Sequence, residues 1–254
     1  MAEFTGPTKL RSPQILKCLI LAAGQGTRLK ERGEVKPLVP LLGQPLIERV
    51  VCSAIDGGAD EFYVVTGFEG ETVTNFVEEL AEKLEISITT IENQNWQKEN
   101  GYSVLKAKPH LQEPFFLLMS DHLFDPTILH TLQAHPPNQG EIVLAVDNNL
   151  TNPLVDLEDV TKVDTSNGLI LNIGKSIDHF RAFDTGIFLC TPALFGALEK
   201  AGDSYQDTTL SAGIRVLAES RCARYLRTDR FWIDVDDEVA FKKAEAAVHE
   251  SIAD

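Results

Sequence analysis

Short apolar runs alternate with segments of helical spacing along the first half of the chain. The runs are almost uninterrupted, which is typical of strands covered on both faces. They predict strands at 17–23, 61–67, 86–92, 114–120 and 141–146. Between them, apolar positions three and four residues apart predict helices at 45–59, 71–84 and 126–134, with a shorter one at 101–108.

The second half of the chain has a different pattern. Within 159–174, two short strands flank an Asn-Gly turn, a combination that predicts a hairpin. Further strands are predicted at 183–190, 223–228 and 230–235, and helices at 192–201, 208–219 and 237–252. Strand–helix alternation implies right-handed crossovers and a mostly parallel sheet between two helical layers.

Length and composition set the domain organisation. The chain has 254 residues, of which 43% are hydrophobic. This length suits one large domain, so we expect a single domain at 17–254 after a flexible extension at 1–16. The extension is polar, carries two prolines and lacks the apolar centre of a signal peptide.

Charge and cysteine usage exclude several kinds of partner. The formal net charge of −15 argues against nucleic acid, because a phosphate backbone requires clustered Lys and Arg. No apolar run approaches the roughly 20 residues needed to cross a bilayer, so no membrane partner is expected. The four cysteines are far apart and lie mostly among apolar residues, which favours reduced thiols in a cytoplasmic protein.

The first predicted strand runs into a glycine loop with the sequence AAGQGTR, and a Lys-Pro pair follows. Glycines allow backbone N–H groups to face an anion, and Arg28 and Lys36 add positive charge. A dinucleotide-binding loop requires a third glycine where Leu29 stands, and an ATPase phosphate loop requires a Gly-Lys-Ser/Thr sequence that is absent here. On the residues alone, a phosphate site and a plain turn between strand and helix both remain open.

Acidic residues follow two of the predicted strands. Asp121 comes directly after the strand at 114–120, and Asp234 and Asp236 lie in the sequence WIDVDD. Residues two apart in a strand point to the same face, so Asp234 and Asp236 are expected to share one pocket. Carboxylates beside a polyphosphate need a cation between them, and Mg²⁺ suits this position because it prefers oxygen ligands. The alternative is that these residues end a strand or cap a helix.

The sequence LAAGQGTRL, followed by KPL and GQPLIERVV, resembles the signature of the sugar-phosphate nucleotidyltransferases, the pyrophosphorylase-like superfamily. The resemblance extends from about residue 17 to the terminal helix. It implies an α/β protein with a three-layer α/β/α Rossmann-like nucleotidyltransferase fold, whose mostly parallel mixed sheet carries a small β insertion. In that family the glycine loop wraps the nucleotide, and an arginine and a lysine, here Arg28 and Lys36, contact its phosphates. The implied nucleotide-binding residues are Leu21, Ala22, Ala23, Gly24, Gln25, Gly26, Thr27, Asn93 and Ser120.

The same resemblance implies a magnesium site. The family holds the metal between one Asp after the central strand, matched here by Asp121, and another near the end of the chain. Both Asp234 and Asp236 are candidates for the second ligand, because this chain continues with Asp-Glu-Val where the family has Thr-Pro-Glu. His122 is open to a contact with metal or substrate, or to simple packing.

Two further segments carry polar groups suited to a second substrate. A phosphorylated acceptor needs a cation to bring its oxygen to the α-phosphate of a nucleotide, and Lys175 is suited to this role. Asp184 is suited to gripping hydroxyl groups. The full set of acceptor-binding candidates is Glu99, Asn100, Ser103, Asp184, Thr185 and Gly186. The simpler alternatives are a solvated lysine, a turn aspartate and a helix start at 100–103.

The sequences ENGYSVLKAK, MSDHLF and IGKSI…FDTGIF together look like the branch of cytidylyltransferases that includes CTP:inositol-1-phosphate cytidylyltransferase. That resemblance implies an enzyme that transfers CMP from CTP to inositol-1-phosphate and releases pyrophosphate. Alternatives are 2-aminoethylphosphonate or phosphocholine as acceptor, another nucleotide with a sugar-1-phosphate, and a non-catalytic nucleotide-binding regulator. The loops contain no aromatic cluster of the kind that binds a quaternary ammonium, which argues against phosphocholine. A homodimer is compatible with the sequence.

Overall fold

A nine-stranded mixed sheet forms the centre of the structure. The computed structural model describes residues 16–253 and the side chains of residues 16–249, so the predicted extension, apart from Leu16, lies outside the described residues. The strands are β1 (Lys17–Ala22), β2 (Pro40–Leu41), β3 (Gln44–Pro45), β4 (Glu61–Thr66), β5 (Ser87–Glu92), β6 (Phe115–Met119), β7 (His122–Phe124), β8 (Ile142–Asp147), β9 (Lys162–Ser166), β10 (Leu169–Gly174), β11 (Ala182–Cys190), β12 (Ala223–Thr228) and β13 (Trp232–Asp234).

Helices connect most of these strands, as the sequence pattern predicts. They are α1 (Leu46–Asp56), α2 (Gly70–Leu84), α3 (Asn100–Lys106), α4 (Thr127–Ala134), α5 (Ala193–Tyr205), α6 (Leu210–Glu219) and α7 (Glu238–Ala253). Two short 3₁₀ helices, Thr27–Leu29 and Lys36–Leu38, lie in the glycine-loop segment. Among the described residues, none of the helices has the length and apolar character needed to cross a membrane.

The strand order in the main sheet is β5-β4-β1-β6-β11-β8-β12-β10-β9. Strands β11 and β10 run against the other strands of this sheet, so the predicted mostly parallel mixed sheet is confirmed. The predicted hairpin is β9–β10, and its turn residues Asn167 and Gly168 have φ values of 49° and 80°. Positive φ at both central positions is the geometry that favours Asn-Gly in two-residue hairpins.

Both faces of the sheet are buried, which explains the uninterrupted apolar runs. Along β1, Cys18 and Ile20 belong to the core under α1, α2, α4 and α7, whereas Leu19 and Leu21 belong to the core under α3, α5 and α6. Successive strand residues point to opposite faces, so a strand inside a three-layer structure must be apolar at every position. The predicted α/β/α layering is confirmed.

Two small sheets lie outside the main one, and of their four strands the sequence pattern predicts β13 alone. Strand β13 is only three residues long and pairs antiparallel with the equally short β7, while β2 pairs with β3. A strand of two or three residues shows too little of a two-residue period to be recognised in a sequence. The predicted strand at 230–235 therefore exists in a shorter form and joins a different sheet.

A buried carboxylate at the end of β8 connects the small β7–β13 sheet to the main one. Asp147 accepts hydrogen bonds from the Trp232 indole N–H (3.0 Å), the Asn152 side-chain amide (2.7 Å) and the backbone N–H of Asn149 (2.7 Å). Because Asp147 is 4% exposed, water cannot replace these bonds. This residue therefore positions both β13 and the loop after β8.

We predict that Asp147→Ala lowers the free energy of unfolding by about 1–3 kcal/mol, because it leaves the Trp232 N–H without an acceptor. Urea denaturation measures this change. Asp229→Ala, at a fully exposed side chain in the same part of the chain, is the control and should leave the midpoint nearly unchanged. Equal stability of Asp147→Ala and the unmodified chain would contradict this role.

Candidate active site at one edge of the sheet

Three adjacent strands bring the predicted site residues to one edge of the sheet. Strands β1 and β6 are parallel neighbours, so the glycine loop after β1 and Asp121 after β6 emerge side by side. Strand β11 runs in the opposite direction, and its first residues, including Asp184, therefore reach the same edge. The carboxyl edge of an open α/β sheet is where such proteins bind ligands.

The two glycines of the loop have different structural roles. Gly26 has φ 60°, and a Cβ at that position would overlap with the side chain of Lys36. Gly24 is exposed and has open space where a Cβ would stand. Leu29, which occupies the third glycine position of a dinucleotide loop, is 1% exposed and packs in the core.

Lys36 is the most deeply buried charged group of the site. Its ammonium forms ion pairs with Asp121 (2.5 Å) and with Asp236, while its side chain is only 7% exposed. Burial lowers the pKa of an ammonium, but the two carboxylates outweigh this and hold the pKa of Lys36 above its ordinary value. Lys36 is therefore a permanent positive charge beside the glycine loop.

The cations of the two predicted subsites belong to one continuous series of ion pairs, which we call the ion-pair chain. Arg28 pairs with Asp236 (2.5 Å) and with Asp159 (2.7 Å), and Asp159 also pairs with Lys175. The members of the ion-pair chain alternate in charge, in the order Lys175, Asp159, Arg28, Asp236, Lys36 and Asp121. The ion-pair chain links the nucleotide cations predicted from the glycine loop to the predicted acceptor cation.

The structure separates the two candidate carboxylates near the end of the chain. Strand β13 ends at Asp234, which lies opposite His122 in β7, whereas Asp236 lies beyond the strand and pairs with Lys36 and Arg28. Burial raises the pKa of Asp234, but Lys36 and Arg28 hold the pKa of Asp236 below its ordinary value. Both carboxylates nevertheless line one cavity.

Asp121, His122 and Asp234 form a cluster suited to a metal ion. One ligand atom from each of the three lies within 4.8 Å of the others. One oxygen of Asp234, Oδ1, is buried and has no hydrogen-bond partner among the described groups. An unpaired buried carboxylate oxygen is costly, and a cation bound there would remove that cost. The residues present therefore fit a divalent cation.

His122 is held in a fixed orientation beside this cluster. Its Nδ1 lies 2.8 Å from the Thr185 carbonyl oxygen, and its Nε2 lies 3.4 Å from Asp234 Oδ2. Burial alone would lower the pKa of His122, but Asp234 and Asp121 outweigh it and raise the pKa to about 10. Gly186, with φ 74°, allows the ring its position, because a Cβ there would overlap with the ring of His122.

Helix capping is the alternative role for the acidic residues that follow the strands, but residues close to them in the sequence cap the helices. Asp125 accepts a hydrogen bond from the backbone N–H of Thr127 at the start of α4 (2.8 Å). Asp237 accepts one from the backbone N–H of Ala240 at the start of α7 (2.8 Å). Asp121 and Asp234 are therefore available for other contacts.

A cavity of about 610 Å³ opens beside the ion-pair chain. Among its lining residues are Arg28, Asn100, His122, Lys175, Asp184, Gly186, Asp234 and Asp236. Burial raises the pKa of Asp184 to about 6, and its Oδ1 accepts a hydrogen bond from the backbone N–H of Gly186 (2.8 Å). The polar groups on its wall suit a small molecule with several hydroxyl groups, although apolar side chains such as Met119 and Leu154 line it as well.

The side chains of several other predicted site residues form hydrogen bonds to other groups of the protein. Asn93 is 1% exposed and donates to Ser103 Oγ (3.0 Å), and Thr185 donates from its hydroxyl to the Ala145 carbonyl (2.8 Å). These bonds position the neighbouring backbone.

The remaining predicted residues occupy different places around the site. Asn100 accepts a hydrogen bond from the backbone N–H of Leu210 at the start of α6 (2.8 Å). Ser120 is buried and donates its backbone N–H to the Leu21 carbonyl (3.1 Å), which ties the ends of β6 and β1 together. Glu99 precedes α3 and is exposed.

Asp159 is the site residue that sequence reasoning missed. It lies in a polar stretch of the loop between β8 and β9, not at a strand end or in a recognised motif. The only signal in the sequence is its place in the acidic segment DLED, which resembles any solvated loop. Its role depends on the folded loop, which places its carboxylate between Arg28 and Lys175.

The fold is that of an α/β protein with charged side chains and a cavity at the carboxyl edge of its sheet, and comparison with known proteins identifies its family. Residues 18–182 match the MobA-like NTP transferase domain, and the chain belongs to that family. The "Bifunctional IPC transferase and DIPP synthase" of Rubrobacter xylanophilus is 35% identical over 72% of this chain and 40% of its own length. The protein of the same name from Aquifex aeolicus is 31% identical over 89% of this chain and 50% of its own length.

Among solved structures, the inositol-1-phosphate CTP transferase from T. maritima superposes with a TM-score of 0.80. It is 24% identical, and the superposition covers 92% of this chain and 95% of that one. This likeness confirms the nucleotidyltransferase fold. The chain spans about half the length, or less, of the two curated relatives.

We predict that Gly186→Ala lowers the free energy of unfolding by more than the roughly 1–3 kcal/mol that backbone strain alone costs, because the new methyl group also displaces the His122 ring. Gly140→Ala is the matched control, since Gly140 has φ 88° and open space around it. Urea denaturation compares the two variants. In a His122→Ala background the difference should shrink, and an unchanged difference would contradict the packing role.

Proposed function

We propose that this chain is a cytidylyltransferase that transfers CMP from CTP to inositol-1-phosphate and releases pyrophosphate. The ion-pair chain supports the proposal, because Arg28 and Lys175 line one cavity and Lys36 is joined to Arg28 through their shared partner Asp236. The relatives, named as IPC transferases, and the inositol-1-phosphate CTP transferase from T. maritima support the choice of nucleotide and acceptor. Residues 17–254 would act as a single domain, and the free thiols suit the cytoplasm.

The reaction is a direct displacement at phosphorus. An oxygen of the acceptor phosphate forms a bond to the α-phosphorus of CTP, and the bond from that phosphorus to the bridging oxygen breaks. Pyrophosphate leaves with the electron pair. Because the attacking oxygen is already an anion, no general base has to remove a proton, and the protein contributes positioning and charge.

The residues of the ion-pair chain have separate parts in this mechanism. Arg28 and Lys36 would hold the triphosphate over the glycine loop, and Lys175 would hold the acceptor phosphate. Substrate phosphates would take the place of Asp159 as the partner of Arg28 and Lys175. Asp184, on the cavity wall, would accept hydrogen bonds from acceptor hydroxyl groups.

A divalent cation, proposed to be Mg²⁺, would be held by Asp121 and Asp234 and would neutralise negative charge on the phosphates. The unpaired buried Oδ1 of Asp234 supports this assignment over Asp236, whose carboxylate is already shared by two cations. Asp236 would then position Arg28 and Lys36 without binding the metal.

The cavity lining favours a polyol phosphate over phosphocholine. Of the described residues that line it, Trp232 and His122 are the ones with aromatic rings, and the His122 ring is occupied by Thr185 and Asp234. A quaternary ammonium is bound by several aromatic faces, whereas hydroxyl groups require carboxylates and amides such as Asp184 and Asn100.

A pyrophosphate-release panel tests the function. CTP, UTP, GTP and dTTP are each combined with inositol-1-phosphate, glucose-1-phosphate, 2-aminoethylphosphonate and phosphocholine, in the presence of Mg²⁺. We expect turnover with CTP and inositol-1-phosphate. Release only with a sugar-1-phosphate and another nucleotide would overturn the assignment, and release with no pair would indicate a non-catalytic regulator. Asp121→Asn in the same panel controls for contaminating enzymes.

A paired comparison tests the metal assignment. We predict that Asp234→Asn lowers turnover by about 100-fold or more and raises the Mg²⁺ concentration at half-maximal rate, because loss of even an indirect partner of a metal costs about 10–100-fold. Asp236→Asn is the matched variant, and it should keep the Mg²⁺ requirement of the unmodified chain while changing KM for CTP. A shifted Mg²⁺ requirement in Asp236→Asn alone would reverse the assignment.

A further inference from the structure

His122 lies where a third metal ligand would stand. Its Nε2 is 3.4 Å from Asp234 Oδ2 and 3.8 Å from Asp121 Oδ1. Ligand atoms bound to one cation at about 2.1 Å are about 3–4 Å apart, so these separations match a shared ion. The two-stranded β7–β13 sheet produces this arrangement, because its register pairs Asp234 directly with His122.

The other side of the ring fixes which nitrogen faces the carboxylates. Nδ1 lies 2.8 Å from the Thr185 carbonyl oxygen, which can only accept, so Nδ1 carries a proton. A histidine that binds a metal through one nitrogen commonly donates from the other to a carbonyl or carboxylate. Close packing on Gly186 prevents the ring from turning away.

The groups around the cluster favour the binding of a cation. Asp121 and Asp234 both approach His122, and Oδ1 of Asp234 is buried without a partner among the described groups. Lys36 neutralises Asp121, whereas no ion pair joins Lys36 to Asp234 among the described residues, and the charged partner of Asp234 is the His122 ring. A divalent cation bound between Nε2 and the two carboxylates would displace the Nε2 proton of the ring and pair with both carboxylates.

We propose that His122 Nε2 is the third protein ligand of the divalent cation assigned to Asp121 and Asp234. This inference rests on the proposed function and adds a nitrogen donor to a site otherwise made of oxygen. Imidazole strengthens binding of first-row transition ions, whereas Mg²⁺ prefers oxygen ligands alone. The site should therefore bind Mn²⁺ more tightly than Mg²⁺, by a margin that depends on His122.

Electron spin-echo spectroscopy of Mn²⁺ bound to the full chain tests the coordination directly. We expect modulation from a directly bound ¹⁴N, and its replacement by a ¹⁵N pattern when the protein is labelled with ¹⁵N-histidine. The labelled comparison needs no variant, so it does not depend on whether a variant folds. A spectrum with oxygen and proton couplings only would overturn the proposal.

His122→Asn tests the affinity. Its amide can still donate to the Thr185 carbonyl, but it removes Nε2, so the ratio of Mn²⁺ to Mg²⁺ affinity should fall by about 10-fold or more. His130→Asn, at an exposed histidine of α4, is the matched control and should leave the ratio unchanged. Tighter Mn²⁺ binding in His122→Asn would show that the ring acts as a competing positive charge, and would overturn the proposal.

The outcomes for the ligand and for the enzyme are separable. Bound Mn²⁺ without nitrogen coupling, together with normal pyrophosphate release, removes His122 from the metal site and leaves the proposed function standing. Nitrogen coupling without pyrophosphate release for any substrate pair supports the ligand and removes the proposed function.

Discussion

The site depends on the burial of one ammonium group between two carboxylates. Lys36 would be costly to bury alone, and Asp121 and Asp236 would repel one another without it. Each of the three elements that contribute these residues therefore requires the others. The loop after β1, the end of β6 and the segment after β13 are separated by many residues in sequence, and this contact holds them at one edge of the sheet.

Alternation of charge extends from this contact across the whole cavity. Arg28 is shared by Asp236 and Asp159, and Asp159 is shared by Arg28 and Lys175. An acidic protein that binds polyphosphate must hold its cations in place and must keep unpaired carboxylates from repelling the anionic ligand. A series of shared carboxylates meets both needs, because each cation is held in position while the exposed ones can still exchange partners.

Sequence pattern is sufficient for the fold because both faces of the sheet are covered. Uninterrupted apolar runs and helical spacing identify the long elements, and the Asn167-Gly168 turn identifies the hairpin. Among the elements that escape prediction is the short β7, and its pairing with β13 decides which acidic residue faces His122. In the sequence Asp234 and Asp236 are equivalent, because the pattern predicts one strand that leads into both. Asp159 escapes because its partners, Arg28 and Lys175, are brought to it only by the folded loop.

The packing of Gly26 against Lys36 gives this glycine a structural role that is separate from any role in binding. Glycine is required at residue 26 for two reasons that do not depend on a nucleotide: the backbone there is left-handed, and the Lys36 stem fills the space of a Cβ. The residues at these two positions therefore depend on one another, because a side chain at residue 26 fits only beside a smaller one at residue 36. Packing imposes no such restriction on residue 24, because the space where a Cβ would stand is open. A side chain at residue 24 therefore needs no change in the surrounding packing, whereas one at residue 26 requires both a different backbone and a different neighbour at residue 36.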